Sequence, residues 1–208
     1  MTDRVRWEDS DMSGRALGPC SLEGEHLRLE PLRQEHGDAL FEAALRMEWG
    51  WFLYPMRTRQ DVAMRIDSAL ESERENEGYA FAVRMKQDER IVGSTSYLGV
   101  AAKHKRVEIG STWYLPEAQG TVVNPECKYL LLKHAFEDWG AVRVQFTTDA
   151  KNIHSQNAIL KLGAKYEGKL RNHGIRPDGS ARDAMVYSIL PKEWPKVKAG
   201  LLTRIQTA

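Results

Sequence analysis

The spacing of hydrophobic residues changes several times along the chain, and each change predicts a different element. Leu40, Ala44 and Met47 recur at helical spacing, and Val62, Ile66 and Leu70 do so again. From Tyr79 the period shortens to two, which is typical of a strand with one buried face. The complete pattern predicts strands at about 25–32, 79–85, 91–100, 106–115, 142–150, 164–172 and 182–190, helices at about 34–47, 59–74, 125–139 and 153–162, and a basic C-terminal helix.

The order of these elements is β-α-α-β-β-β-α-β-α-β-β-α, which predicts an α/β (α+β) protein with a mixed sheet and helices on both faces. Residues 21–208 are expected to form a single domain. Residues 1–20 lack periodicity and are rich in Asp, Arg, Ser and Gly, so they are predicted to form a mobile N-terminal extension.

Composition narrows the functional classes. The chain has 208 residues and a formal net charge of +1, so it carries no strong field to attract nucleic acid. Its apolar runs fall far short of the ~20 residues of a membrane span, and its start lacks the apolar core of a signal peptide. The two cysteines have no metal-ligand spacing. We therefore expect a cytoplasmic protein without a metal or a membrane partner.

The most informative loop lies before the helix at about 125–139. Gly120 allows the backbone to approach a ligand closely, Asn124 is a suitable N-cap, and Pro125 suits a first helical position. Unpaired N–H groups at a helix start favour an anion, and Lys128 could add a positive charge. The same residues would equally serve as an ordinary helix start, so both readings stay open at this point.

A second short motif follows the strand at about 142–150. Asn152 stands between this strand and a short helix, where it would act as an N-cap. An asparagine facing a cleft would also bind a ligand that carries amides. The motif is therefore compatible with a structural role, a binding role, or both.

Together the two motifs resemble the GNAT acetyltransferases, specifically the RimJ/RimL-like branch. The resemblance covers about residues 22–195 and rests on EIGSTWYLPEAQGTVVNPECKYLLLKHAF, NIHSQNAILKLGAKYEGKLR, RDAMVYSIL and the following EW. It implies a GNAT fold, with a mostly antiparallel twisted sheet that splays around the coenzyme A site. It also implies acetyl-CoA as cosubstrate.

The resemblance further implies the residues that hold acetyl-CoA. The loop would bind the pyrophosphate, the strand end before it would bind the pantetheine as an extra strand would, and the second motif would line the same arm. The predicted cofactor-binding residues are Trp113, Tyr114, Leu115, Gln119, Gly120, Thr121, Val122, Val123, Asn124, Lys128, Asn152 and Ser155.

Two positions depart from the family pattern. Val122 stands where the loop usually has a second glycine or an alanine, so its side chain narrows the approach to the backbone. Ile159 stands where many members have a tyrosine that protonates the leaving thiolate. In the RimL-like branch a serine near the start of that helix is suggested for this task, and Ser155 matches it.

Glu108 is the candidate general base. Acetyl transfer to an amine needs a neutral nitrogen, a donor for the developing oxyanion, and a proton for the thiolate. By the two-residue period, Glu108 should share a strand face with Gly110, Thr112 and Tyr114, near whose backbone N–H the oxyanion would form. The alternative is that Glu108 is a solvent-facing or salt-bridged strand carboxylate.

The connector between the first two helices is rich in aromatic residues. Trp49, Trp51 and Tyr54 would ordinarily pack in the core or form a lid. The resemblance places this connector beside the acceptor cleft, so Trp51 and Tyr54 are candidate substrate-binding residues.

Two functional hypotheses follow from the resemblance and from the two departures from the family pattern. The first is an enzyme that moves an acetyl group from acetyl-CoA to a primary amine, on a peptide N-terminus or a small molecule, by direct attack. The second is a non-catalytic CoA-binding protein that acts as a ligand sensor or interaction module, which Val122 and Ile159 favour. Either protein would be a monomer or a homodimer, and the sequence does not identify the acceptor amine.

Overall fold

The computed structural model describes residues 17–207. Residues 1–16 of the predicted extension therefore lie outside the described residues, while Leu17 is buried in the core. The strands are β1 Leu22–Glu23, β2 Leu27–Pro31, β3 Tyr79–Met85, β4 Ile91–Ala101, β5 Arg106–Tyr114, β6 Arg143–Asp149, β7 Lys165–Ile175 and β8 Ala181–Ile189. The α-helices are α1 Gly37–Ala44, α2 Arg59–Arg74, α3 Val123–Lys133, α4 Ile153–Leu162 and α5 Trp194–Gln206.

Most predicted elements are confirmed, because their signals are local. Helix α2 begins where predicted because Thr58 and Asp61 form a reciprocal capping box at its start. Helix α4 ends at Gly163, which adopts a left-handed φ of 97° as a terminating glycine does. The two-residue strand β1 was not predicted, since two residues carry no detectable period.

The eight strands form one sheet in the order β1-β2-β3-β4-β5-β6-β8-β7. Strands β5 and β6 are parallel, and every other neighbouring pair is antiparallel. The mixed sheet is therefore confirmed as mostly antiparallel. Its single parallel pair lies near the middle of the sheet.

Helices cover both faces of the sheet, as the element order predicts. Consecutive residues of a strand point to opposite faces. Arg65 of α2 donates to the Ser96 hydroxyl, while Lys128 of α3 contacts the Thr95 hydroxyl at 3.4 Å. Helices α2 and α3 thus lie on opposite sides of β4. We call these sides the α2 face and the α3 face.

The helix after the loop differs in detail from the prediction. Helix α3 gives way to a π-helical turn at His134–Asp138 instead of continuing as an α-helix to residue 139. Its predicted apolar stripe is nevertheless used, because Tyr129 and Phe136 stack on Trp194 of α5. In the described part of the chain, no helix has the length and apolar character needed to cross a membrane.

Candidate active site

The parallel strands β5 and β6 separate after a short pairing. They pair only at their first three residues, and the last pair joins Glu108 to Gln145. Beyond it, β5 continues along β4 to Tyr114, while β6 continues along β8 to Asp149. The two facing edges therefore open into a gap lined by backbone. A peptide-like arm with amide groups can bind such an edge as an added strand would.

The loop at the mouth of this gap presents backbone donors. Gly120 has a φ of 77°, a conformation that favours glycine. Thr121 donates its hydroxyl to the Ala118 carbonyl at 2.7 Å, and the Gln119 side-chain amide donates to the Tyr114 carbonyl at 2.9 Å. Within residues 17–207, the N–H groups of Gly120, Thr121 and Val122 donate no hydrogen bond. These three donors lie beside a helix start, the arrangement that binds phosphate groups in proteins.

The prediction that Asn124 caps α3 is wrong. The N-cap is Val122, which has no capping side chain, and Asn124 lies inside the first turn with Pro125. The helix starts earlier because the Val122 carbonyl accepts from Glu126 N–H at 3.0 Å, while the Thr121 hydroxyl accepts from Val123 N–H at 3.3 Å. The Asn124 side chain is therefore not needed to start the helix.

Lys128 is buried and its ammonium hydrogen-bonds to the sheet. It donates to the Thr112 hydroxyl at 2.7 Å and contacts the Thr95 hydroxyl at 3.4 Å. Burial lowers the pKa of Lys128 from 10.5 to about 8, and the neighbouring Cys127 offsets part of this effect. Its positive charge is thus held by the sheet, beneath the second turn of α3.

A β-bulge in β5 changes which side chains share a face. Gly110 pairs with Ser96 and Trp113 pairs with Ser94, so three steps on β5 match two steps on β4. Ser111, within the bulge, has a φ of 47°. Trp113 therefore lies on the α2 face with Gly110.

The predicted face of Glu108, Gly110, Thr112 and Tyr114 is consequently wrong beyond Gly110. Thr112 and Tyr114 lie on the α3 face, where Thr112 contacts Lys128. The buried Tyr114 hydroxyl has a pKa well above its usual value because of burial and the nearby Cys127 thiol. A period of two holds along a strand only while the pairing register is unbroken.

Glu108 lies where the gap begins, on the α2 face. One oxygen of its carboxylate accepts from the Gln145 amide at 2.8 Å and from the Thr147 hydroxyl at 3.0 Å. Among residues 17–207 it forms no ion pair, so the salt-bridged alternative is wrong. A half-buried carboxylate held by two neutral donors retains lone pairs to accept a proton.

Helix α4 follows β6, the strand that forms the other edge of the gap. The Asn152 side chain accepts from Ser155 N–H at 3.0 Å, which confirms Asn152 as the N-cap. Ser155 is half-buried in the first turn, and Ile159 is buried one turn later. Ser155 is therefore the hydroxyl residue in this first turn, and Ile159 offers no proton.

The aromatic connector divides into packed and exposed residues. Trp49 is buried, with ring centroids 5.1 Å from Phe52 and 5.4 Å from Trp113, and this confirms a packing role. Trp51 is 50% exposed and Tyr54 is 80% exposed, so neither belongs to the core. The connector thus fastens to β5 through Trp49 and presents two aromatic side chains to solvent.

Sequence reasoning missed a cluster at the end of β6. Asp149 is buried and pairs with Arg176 at 2.8 Å, and Arg182 lies 3.4 Å from the same carboxylate. Burial alone would raise the pKa of Asp149, but the hydrogen bonds from Arg176 and Lys151 N–H bring it below its usual value. The signal was present in the alternating polar residues of β6, which are Arg143, Gln145, Thr147 and Asp149.

Residues 17–207 contain no group of three or more His, Cys, Asp or Glu side chains arranged to hold a metal ion. The groups described at the gap are the Glu108 carboxylate, the Ser155 hydroxyl and backbone N–H donors.

Comparison with known proteins assigns the chain to a family. A family model described as an acetyltransferase (GNAT) domain matches residues 26–165. The chain is 25% identical over 175 residues to the uncharacterized N-acetyltransferase YoaA of Bacillus subtilis (strain 168), covering 83% of this chain and 98% of that protein.

Solved structures agree with this assignment. A GCN5-related N-acetyltransferase from Brucella melitensis superposes with a TM-score of 0.84 at 27% identity, covering 91% of this chain and 87% of that one. Mycobacterium smegmatis RimJ, solved in complex with CoA-disulfide, shares the fold at 18% identity and a TM-score of 0.77, covering 89% and 94% of the two chains. The family match and these similarities show that the chain belongs to the GNAT acetyltransferase family as an N-acetyltransferase.

Proposed function

We propose that this enzyme acetylates a primary amine, on a peptide N-terminus or a small molecule, by direct attack on acetyl-CoA. The observation that carries the proposal is the position of Glu108. It stands where β5 and β6 begin to separate, so the carboxylate on the α2 face and the backbone donors of the gap meet at one place.

The loop before α3, the edge of β5 and the start of α4 support a binding mode for acetyl-CoA. Its pyrophosphate would take the free N–H groups of Gly120, Thr121 and Val122, and the dipole of α3 would add to their attraction. Its pantetheine amides would pair with the edge of β5 at Trp113–Leu115. Asn152 and Ser155 would line the other side. Val122 still offers its N–H, although its side chain narrows the approach.

Three groups would serve the transfer itself. Acetyl-CoA supplies an acetyl group on a thiol leaving group. Glu108 would accept the proton that the incoming ammonium must lose, directly or through a water molecule. The Tyr114 N–H would stabilise the developing oxyanion. The neighbouring Leu115 N–H donates to the Val92 carbonyl of β4, and successive N–H groups of a strand point to opposite edges, so the Tyr114 N–H points towards the gap. The Ser155 hydroxyl would supply the proton for the departing thiolate.

The acceptor side would be the α2 face. Glu108, Gln145 and Thr147 present polar atoms there, and Trp51 and Tyr54 stand exposed on the connector. The fold shared with RimJ and the motifs quoted above support the RimJ/RimL-like branch. We further propose that the enzyme acts in the cytoplasm, as a monomer or a homodimer, with residues 21–208 as its single domain.

The test of the proposed base is Glu108→Gln, which keeps the size of the side chain but cannot accept a proton. Thiol release from acetyl-CoA, measured with a trapping dye over a panel of amines, should show kcat reduced by about 10²-fold near neutral pH. The loss of kcat should shrink as the pH approaches the pKa of the amine, because a larger fraction of the amine is then already neutral and needs no base. A packing defect has no reason to recover in this way.

Glu35→Gln is the control for the loss of kcat, because it makes the same change at an exposed carboxylate in the turn before α1. A loss at Glu108 that is independent of pH would make this residue structural. The competing hypothesis of a non-catalytic CoA-binding protein predicts tight CoA binding without thiol release for any amine in the panel.

A further inference from the structure

The cluster at the end of β6 contains a guanidinium group that the fold does not use fully. Asp149 is 2% exposed, and its carboxylate accepts from Arg176 Nε at 2.8 Å, from Arg176 Nη2 at 2.9 Å and from Lys151 N–H at 2.8 Å. Arg176 also donates to the Ser180 hydroxyl and the Ala181 carbonyl. Asp149 and Arg176 therefore form a complete bidentate pair that fastens the turn between β7 and β8 to the end of β6.

Arg182 is left over from this pair. Its side chain is 13% exposed, and its Nε lies 3.4 Å from Asp149 but forms no hydrogen bond. None of its guanidinium nitrogens donates a hydrogen bond to any residue in 17–207. Two guanidinium groups thus share one buried carboxylate. Its Nε is buried without a hydrogen-bond partner, and the solvent-accessible part of the guanidinium keeps donors that a ligand can use.

The position of Arg182 links it to the acceptor side. Asp149 pairs with Ala184, and Arg182, two residues from Ala184, therefore projects to the same face. That is the α2 face, which also carries Glu108 and Thr147. Leu53 of the aromatic connector and Arg182 both lie beside Gly174, at 3.9 Å and 4.0 Å from the position that a Cβ atom would take there. The connector therefore lies close to Arg182.

We propose that Arg182 binds a carboxylate of the acceptor, so that the preferred substrate is an amine with an acidic group nearby. The proposal rests on the acetyl transfer argued above. A planar guanidinium suits a carboxylate because it offers paired N–H donors. Gln145, beside Glu108, and Asp149 are four residues apart on β6, which is about 13 Å. A carboxylate on the second, third or fourth residue of an extended peptide falls within that reach.

Tetrapeptide amides test the proposal directly. Asp is placed at the second, third or fourth position of an otherwise all-Ala peptide with a free N-terminus, and each peptide is matched by one with Asn instead. Calorimetry with the CoA-bound enzyme measures both affinities. We expect one Asp peptide to bind at least tenfold more tightly than its Asn partner. In Arg182→Gln that ratio should fall to about one, and Arg182→Lys should restore part of it.

The control is Arg171→Gln, an exposed arginine on β7 in the same hairpin, which should leave the ratio unchanged. Thermal unfolding of each variant shows whether the hairpin survives. Equal binding of Asp and Asn peptides to the native enzyme, or an undiminished ratio in Arg182→Gln, would overturn the carboxylate site.

Acetylation of the same peptides, followed by mass, separates the two proposals. Preference for Asp peptides in binding without acetyl transfer contradicts acetylation of a peptide N-terminus and supports the carboxylate site. Acetyl transfer to Asp and Asn peptides at equal affinity supports the proposed function and overturns the carboxylate site.

Discussion

Two helices begin beside the gap, and they begin in opposite ways. Helix α4 is capped by Asn152, whose side chain satisfies the Ser155 N–H. Helix α3 also has an asparagine near its start, Asn124, but this residue lies inside the first turn. The N-cap of α3 is Val122, which has no capping side chain. The same residue type therefore closes one helix start and leaves the other to the backbone of its loop.

The capped start of α4 contributes to stability, whereas the uncapped start of α3 leaves donors for binding a ligand. An N-cap typically contributes about 1 kcal/mol to a helix, and the start of α3 forgoes that contribution. In return, the N–H groups of Gly120, Thr121 and Val122 stay available for an anion. The start of α3 is also the more deeply buried, since its first turns hold Glu126 and Lys128 inside the protein. Three substitutions test these contrasts.

The largest effect is expected from the buried charge under α3. The unfolded chain keeps the Lys128 proton up to about pH 10.5, whereas the folded protein loses it near pH 8, so burial of the charge destabilises the fold below pH 8. Relative to Lys128→Met, the native protein should gain up to about 3 kcal/mol in free energy of unfolding as the pH rises through this window.

Urea denaturation over this pH range measures the gain. Lys133→Met serves as the control, because Lys133 is exposed on the same helix and its removal should leave the difference from native constant. Parallel pH curves for native protein and Lys128→Met would show that the ammonium is solvated in the folded state.

Next in size is the effect of closing the open helix start with a negative charge. Gly120→Asp should weaken CoA binding at least tenfold, or about 1.4 kcal/mol, because the carboxylate would stand against the phosphates at a position with positive φ. Gly140→Asp is a matched control, since Gly140 also has a positive φ, of 74°, with no atom near its Cβ position. Calorimetry that finds both variants equal to native would remove the anion site from the α3 start.

The smallest effect is expected where the helix start is already closed. Asn152→Ala should lower the free energy of unfolding by about 1 kcal/mol, because the Ser155 N–H loses its partner. Asn152→Asp keeps the accepting oxygen and should unfold like the native protein. If Asn152 also donates to the pantetheine, CoA affinity should fall in Asn152→Asp while stability does not. Unchanged unfolding of the alanine variant would contradict the capping role.

The elements that were predicted well are those whose signals lie within a few residues. Helix α2 has its capping box at Thr58 and Asp61, and α4 lies between Asn152 and Gly163. Strand β3 has the bounds Tyr79–Met85 that its alternating sequence predicts, although residues 79–83 are all buried. The donor loop was located for the same reason, because a glycine before a helix start can be read from adjacent residues.

The candidate site was predicted only in part, because its geometry depends on partners distant in the chain. The bulge at Ser111 exists only in the pairing of β5 with β4, and it moved Thr112 and Tyr114 to the face opposite Glu108. Asn124 lost its predicted capping role because a neighbouring turn had already started the helix. No local pattern signals either event.

By itself, the sequence determined the family, the order of the elements and the loop beside the gap, since backbone sterics and side-chain period act over a few residues. The tertiary structure alone decided that Lys128 enters the sheet and that Glu108 meets Gln145 and Thr147. It also decided that Arg176 satisfies Asp149 while Arg182 is left without a hydrogen bond. These contacts join residues 16 to 39 positions apart, and strand order, register and burial bring them together only when the whole sheet has formed.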